Sequence, residues 1–126
     1  MMGNRLAFRP KAGHFIDCER LGNGTFRVEI QQGVKVCYGV LTPEDARMTA
    51  RMMAGMGPVR LVFRPQTGHL IDFERLENGT VRMEIRQELE VCYAVLTPED
   101  ARMLGRMLMA GSGPVLPGFT QMRRAG

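Results

Sequence analysis

The sequence has no tryptophan and only two tyrosines, Tyr38 and Tyr93. Proteins that hold nucleic acid by stacking its bases need more planar side chains than this, so base stacking is not the expected mode of contact. Histidine is equally scarce. His14 and His69 each follow a glycine and lie three residues before an aspartate, Asp17 or Asp72. No second His or Cys stands at ligand spacing from either, so no metal site is expected, and a turn histidine at a strand edge is the simpler reading. There is no G-x-S-x-G, no phosphate-binding P-loop and no H-E-x-x-H. No catalytic residue and no cofactor is expected.

The three cysteines, Cys18, Cys37 and Cys92, include no C-x-x-C pair. An odd set without paired spacing points to free thiols and a reducing, cytoplasmic setting. Cys37 and Cys92 sit in apolar runs beside valine and tyrosine, where burial raises a thiol's pKa and blunts it as a nucleophile. No apolar run is long enough to span a bilayer, so no membrane partner is expected. Met1 to Arg5 leads directly into repeated sequence, without the pattern of a secretory signal. Lysine is almost missing too, with Lys11 and Lys35 alone. The net charge of +4 and the pI near 9.4 therefore rest on arginine, the side chain suited to bidentate contact with phosphate or carboxylate.

What the chain does have is a repeat. Residues 16–30 return as residues 71–85 with an offset of 55, and over the whole repeat roughly two residues in three match. The expected organisation is a single domain, 1–126, made of repeat one (5–57), repeat two (58–113) and a C-terminal tail (114–126). Each repeat alone is near the lower limit for an independent core, so the two are expected to share one.

Within a repeat, Arg5 to Arg9 alternates polar and apolar, which predicts a strand with Leu6 and Phe8 inward and Pro10 as its end. Two further alternating runs flank Gly22-Asn23-Gly24, a hairpin signal. Register sets the loop length. A two-residue loop would place Glu19 opposite Val28 on the apolar face. The three-residue loop pairs Ile16 with Ile30, Cys18 with Val28 and Glu19 with Arg27, and puts Gly24 in the left-handed position of a bulged turn. Gly33 turns the chain into a fourth strand. Val36, Tyr38 and Val40 alternate there with Cys37, Gly39 and Leu41, so both faces are apolar or small. That pattern predicts a strand buried on both sides, with Val36, Tyr38, Val91 and Tyr93 in the shared core.

Thr42-Pro43-Glu44-Asp45 is a helix start: a threonine cap, proline at the first position and acids in the first turn. Thr97 to Asp100 repeats it. On the first helix Glu44, Arg47 and Arg51 share one face. Ala46, Thr49, Ala50 and Met53 share the opposite one, with Met48 and Met52 beside it. Glycines at 55 and 57, then Pro58, mark its end. The expected fold class is therefore α+β: tandem β-β-β-β-α repeats with pseudo-twofold symmetry, antiparallel sheets each covered by one helix. This order of elements resembles the architecture of the PC4 and PUR-repeat single-stranded-DNA-binding proteins. The resemblance covers element order only, and no site residue comes with it.

Two surfaces are candidates for function. Arg47 and Arg51, with Arg102 and Arg106, form matched helix faces, and Arg5, Arg9, Arg60 and Arg64 lie on the first strands. Together they make a twofold-related basic surface for nucleic acid. The hairpin's polar face carries Asp17, Glu19, Arg27 and Glu29. It is net acidic and a poor surface for a phosphate backbone. The other surface is the helix methionines: Met48, Met52, Met53, Met56, Met103, Met107 and Met109. They suit a protein partner or self-association into a homo-oligomer. The leading expectation is a small non-enzymatic, regulatory nucleic-acid-binding protein. The alternative is a protein-interaction module, an adaptor or inhibitor, using the Met-rich helices or a sheet edge.

Overall fold

The structure is a computed structural model and describes residues 4–112. Repeat one forms β1 (Arg5–Lys11), β2 (His14–Arg20), β3 (Phe26–Gln32), β4 (Lys35–Leu41) and α1 (Pro43–Met53). Repeat two forms β5 (Arg60–Phe63), β6 (His69–Arg75), β7 (Val81–Gln87), β8 (Glu90–Leu96) and α2 (Pro98–Ser112). Each set of four strands is an antiparallel meander in chain order, and each is followed by its helix. The tail, residues 114–126, lies outside the described residues.

The hairpin register is the expected one: Ile16 opposite Ile30, Cys18 opposite Val28, Glu19 opposite Arg27, with the same pairs in β6 and β7. Any one-residue slip would turn the charged set into the core. The turn itself differs in detail. Gly24 is left-handed at φ 83°, but Asn23 is too, at φ 66°, and Gly22–Gly24 forms a single 3-10 turn. Asn23 accepts a hydrogen bond from the Thr25 hydroxyl at 2.9 Å, the local side-chain bond that lets asparagine hold this conformation. β1 also runs past Pro10 to Lys11, because the register with β2 shifts after Phe8 and relieves the proline of a ladder bond.

Both helices start as expected. Thr42 accepts from the Asp45 N–H and Thr97 from the Asp100 N–H, each at 3.0 Å. The buried face of α1 is Ala46, Thr49, Ala50, Met52 and Met53, and the Thr49 hydroxyl bonds back to the Asp45 carbonyl. α1 and α2 pack against each other where Gly105 meets α1. A Cβ on Gly105 would stand 3.2 Å from the Met53 Cβ, so this approach needs a very small residue. Ala50 is the position of repeat one that corresponds to Gly105. The helix pair and the inward faces of both sheets enclose one core, led by Phe26, Phe73, Ile16, Ile71, Leu104 and Leu108.

The fourth strands depart from expectation. Their inward face is Cys37, Gly39 and Leu41, and in repeat two Cys92, Ala94 and Leu96, all buried. Val36, Tyr38 and Tyr93 are 37–45% exposed and Val91 is half-buried, so these four are not the shared core. The reason is layering. The core and both helices lie on one side of each sheet, and none of the described elements covers the other. The outward tyrosines find arginine instead: the Arg27 guanidinium lies 4.5 Å over the Tyr38 ring and that of Arg82 lies 5.6 Å over Tyr93.

The fourth strands do join the repeats. Gly39 packs so closely on Ile71 of the other sheet that a Cβ would fall 2.6 Å from its Cδ1. At the free edges, Gln87 accepts the Tyr38 N–H and Gln32 accepts the Tyr93 N–H, both at 3.1 Å. These reciprocal contacts are the pseudo-twofold relation at atomic scale.

Candidate functional site

Arg5, Arg9 and Arg60 lie on the first strands and point outward, whereas Arg64, expected on β5, falls just past its end; Arg5 and Arg60 are committed to partners there. Arg5 grips Asp17 through two nitrogens, with Nε 2.9 Å from Oδ1. Arg60 holds Asp72 in the same way, at 3.2 and 2.8 Å. Both aspartates are almost fully buried, at 4% and 6% exposure, while their arginines stay exposed. The hydrogen bond first, and the aspartate's charge second, raise each guanidinium's pKa above its ordinary value. Arg27 pairs with Glu29 and Arg82 with Glu84, so the outer face is a lattice of matched ions in which several hairpin acids are neutralised. Arg9 covers the Phe15 ring at 5.6 Å, and Arg64 is exposed.

The helix arginines are placed differently. Arg47, Arg51, Arg102 and Arg106 are exposed on the packed helix pair, on the opposite side of the sheets from the first-strand set. The structure therefore gives the eight arginines two locations. Arg102 and Arg106 open onto a groove of about 890 Å³ between the helices and the β6–β7 hairpin. Met53, Val59, Leu76 and Met109 form apolar parts of its wall, and Glu77 is the acid in it.

A third arginine enters this groove that the sequence reading left out. Arg75, the last residue of β6, lines it and donates from Nη1 to the Met52 carbonyl at 3.4 Å. A cation there meets the negative end of α1. Subtracting 55 from Arg75, Arg102 and Arg106 gives Arg20, Arg47 and Arg51. The signal was present in the sequence: an arginine precedes the Asn-Gly turn in both repeats. Only the packing of hairpin ends beside the helices shows why it belongs with the helix set.

The remaining candidates have structural settings. His14 stands edge-on to Tyr93 and His69 to Tyr38, both at 6.3 Å between rings, so the histidines pack across the boundary between repeats. Among the described residues no group of three or more His, Cys, Asp or Glu could hold a metal ion. All three cysteines are free and buried, and burial pushes the Cys18 thiol up to about 12. Met52, Met53 and Met107 are core. Met48, Met56, Met103 and Met109 are exposed. No described helix is long and apolar enough to cross a membrane.

Fold and site together define a tandem β-β-β-β-α protein with a basic helix side. No family model matches the chain, and no curated protein does. Two solved structures share its fold. One is a guide-RNA-binding protein complex bound to a guide RNA, with TM-score 0.69 and 9% identity over 86% of this chain and 89% of that one. The other is MRP1/MRP2 of Trypanosoma brucei, with TM-score 0.66 and 9% identity over 87% and 84%.

Proposed function

We propose that this chain is a nucleic-acid-binding protein that contacts phosphates through twofold-related arginine sets on its helix side. The observation that carries the reading is the convergence of Arg75, Arg102 and Arg106 on one groove, repeated in sequence as Arg20, Arg47 and Arg51. The similarity in fold to a guide-RNA-binding complex supports it. Guanidinium groups bind phosphate in a bidentate way and release the counterions condensed on the nucleic acid, so affinity falls with salt. On the opposite, sheet side, Arg9 and Arg64 give a second basic patch, separate from the helix set. Arg5 and Arg60, already held by buried aspartates, offer their exposed nitrogens at its edge. Three buried thiols fit a reducing, cytoplasmic setting.

The test is titration of labelled single-stranded and duplex RNA and DNA at rising salt. Binding is expected at low salt, with a slope in log K against log salt that becomes shallower by roughly one for each phosphate-contacting arginine removed. No binding at low salt would overturn the proposal, as would unchanged affinity after Arg47, Arg51, Arg102 and Arg106 are all replaced by Ala.

The apolar wall of the same groove favours a second reading, a protein-interaction module. A partner that stays bound after nuclease treatment, with no direct binding of nucleic acid, decides for it.

A further inference from the structure

Where β1 turns into β2, repeat one holds a cleft of about 310 Å³, lined by Arg9, Gly13, His14, Phe15, Gln31 and Gly33. None of these is an acid. A bulge sets the direction of Arg9. Phe8 pairs with Ile16 and Lys11 with His14, so Arg9 and Pro10 together face the single residue Phe15. Such a bulge turns a side chain out of the regular pleat. The Arg9 guanidinium rests over the Phe15 ring at 5.6 Å, and among the described residues it meets no carboxylate. Arg5, Arg27, Arg60 and Arg82 each hold one.

Repeat two does not reproduce this setting. The turn contact itself is the same: the Gly33 N–H donates to the Gly13 carbonyl at 2.7 Å, and the Glu88 N–H to the Gly68 carbonyl at 2.6 Å. The side chains differ. A Cβ on Gly13 or on Gly33 would meet nothing within 4 Å, so the space beside both is open. At Gly68 the Glu88 Cγ stands 3.7 Å from where a Cβ would be, so an acid's side chain fills the equivalent space. Charge divides the repeats in the same way. The only lysines, Lys11 and Lys35, lie in one register row with His14 and Gln32 at this end of repeat one. Their counterparts in repeat two are Gln66 and Glu90.

We propose that this cleft binds a phosphate monoester, and that repeat one alone carries such a site. The Arg9 guanidinium takes the phosphate oxygens in bidentate fashion, and the His14 ring N–H and the Gln31 amide donate to the others. Arg9 is held by Phe15, and the His14 ring stands edge-on to Tyr93 of the other repeat at 6.3 Å between centroids, so these donors are positioned before the ligand arrives. A monoester carries close to two negative charges at neutral pH, more than a phosphate inside a nucleic-acid chain. Lys11 and Lys35 add to the field that favours the higher charge. A cleft of this size also has room for the group esterified to the phosphate. The same chemistry is presented by the phosphorylated end of a nucleic acid and by a free monophosphate.

The two histidines, one in each repeat, make the test direct. The full chain is titrated with inorganic phosphate at fixed pH and ionic strength while the histidine ring signals are followed by NMR, with His14→Gln to assign them. The His14 signal should shift and saturate, and the His69 signal should stay in place. Arg9→Gln should weaken the binding about tenfold, the usual scale for losing a charge-assisted contact. Gly33→Glu, which installs the acid of repeat two, should weaken it as well, with the unfolding midpoint measured alongside. This arm contains no nucleic acid, so it succeeds or fails independently of the helix-side reading. A second arm compares one short RNA with a 5′-phosphate, a 3′-phosphate or hydroxyl ends. Tighter binding of a phosphorylated end, lost in Arg9→Gln, assigns the ligand to a nucleic-acid end. Equal binding of all three, with the His14 shift retained, assigns it to a free monophosphate. No saturating shift of His14, an equal shift of His69, or an unchanged titration in Arg9→Gln would overturn the proposal.

Discussion

The side-chain oxygen of Gln87 accepts the backbone N–H of Tyr38 at 3.1 Å, across the boundary between the two repeats. The bond covers an edge that would otherwise offer an unpaired donor to another strand. Gln32 repeats it on Tyr93. Replacing either glutamine by leucine keeps the bulk and removes the acceptor, at a cost of about 1 kcal/mol. The double variant should lose about the sum, since the bonds lie on different strands. Urea unfolding checks this. It should also show whether the uncovered edges drive concentration-dependent association.

Gly39 and Ile71 give the next prediction. Gly39→Ala would put a Cβ 2.6 Å from Cδ1 and 2.8 Å from Cγ1 of a fully buried isoleucine. The overpacking should cost about 1–3 kcal/mol. Ile71→Val removes the nearer of these atoms, so the double variant should recover part of that loss. A double-mutant cycle in denaturant that shows simple additivity would refute this contact as the cause.

Glu88 occupies the position of Gly33, and both are left-handed, at φ 58° and φ 64°. A glutamate pays a steric cost there that glycine does not. Glu88→Gly should therefore stabilise the protein by about 0.5–1 kcal/mol after glycine's greater chain entropy is counted. Gly33→Glu should destabilise it to a similar degree. Thermal unfolding of the two variants should move in opposite directions.

The arginines should separate by role. Arg5→Ala and Arg60→Ala leave the buried carboxylates of Asp17 and Asp72 without their counter-charge, so the urea midpoint should fall. Arg102→Ala with Arg106→Ala removes exposed charge and should leave the midpoint nearly unchanged while weakening nucleic-acid binding. If the helix pair lowers the midpoint as much as Arg5→Ala does, the division between structural and binding arginines fails.

Much of the fold was legible because its signals are local. The Thr-Pro-Glu-Asp starts, the Asn-Gly turns and the period-two alternation each act within a few residues. Register followed from keeping Glu19 off the apolar face, and the offset of 55 carried every conclusion into the second repeat. Val36 and Tyr38 misled because a strand with two apolar faces reads as doubly buried. Their cover is the Arg27 guanidinium, which arrives from the neighbouring strand.

The sequence by itself determined the repeat, the elements, their pairing and the helix caps. Tertiary structure alone decided which face of β4 and β8 turned inward, that Asp17 and Asp72 would be buried under arginine, that Arg75 would join Arg102 and Arg106, and that Gly39 would pack on Ile71. The physical reason is range. Backbone preferences and turn chemistry are set by neighbours in the chain, whereas these four outcomes depend on how two sheets and two helices, far apart in sequence, close on one shared core.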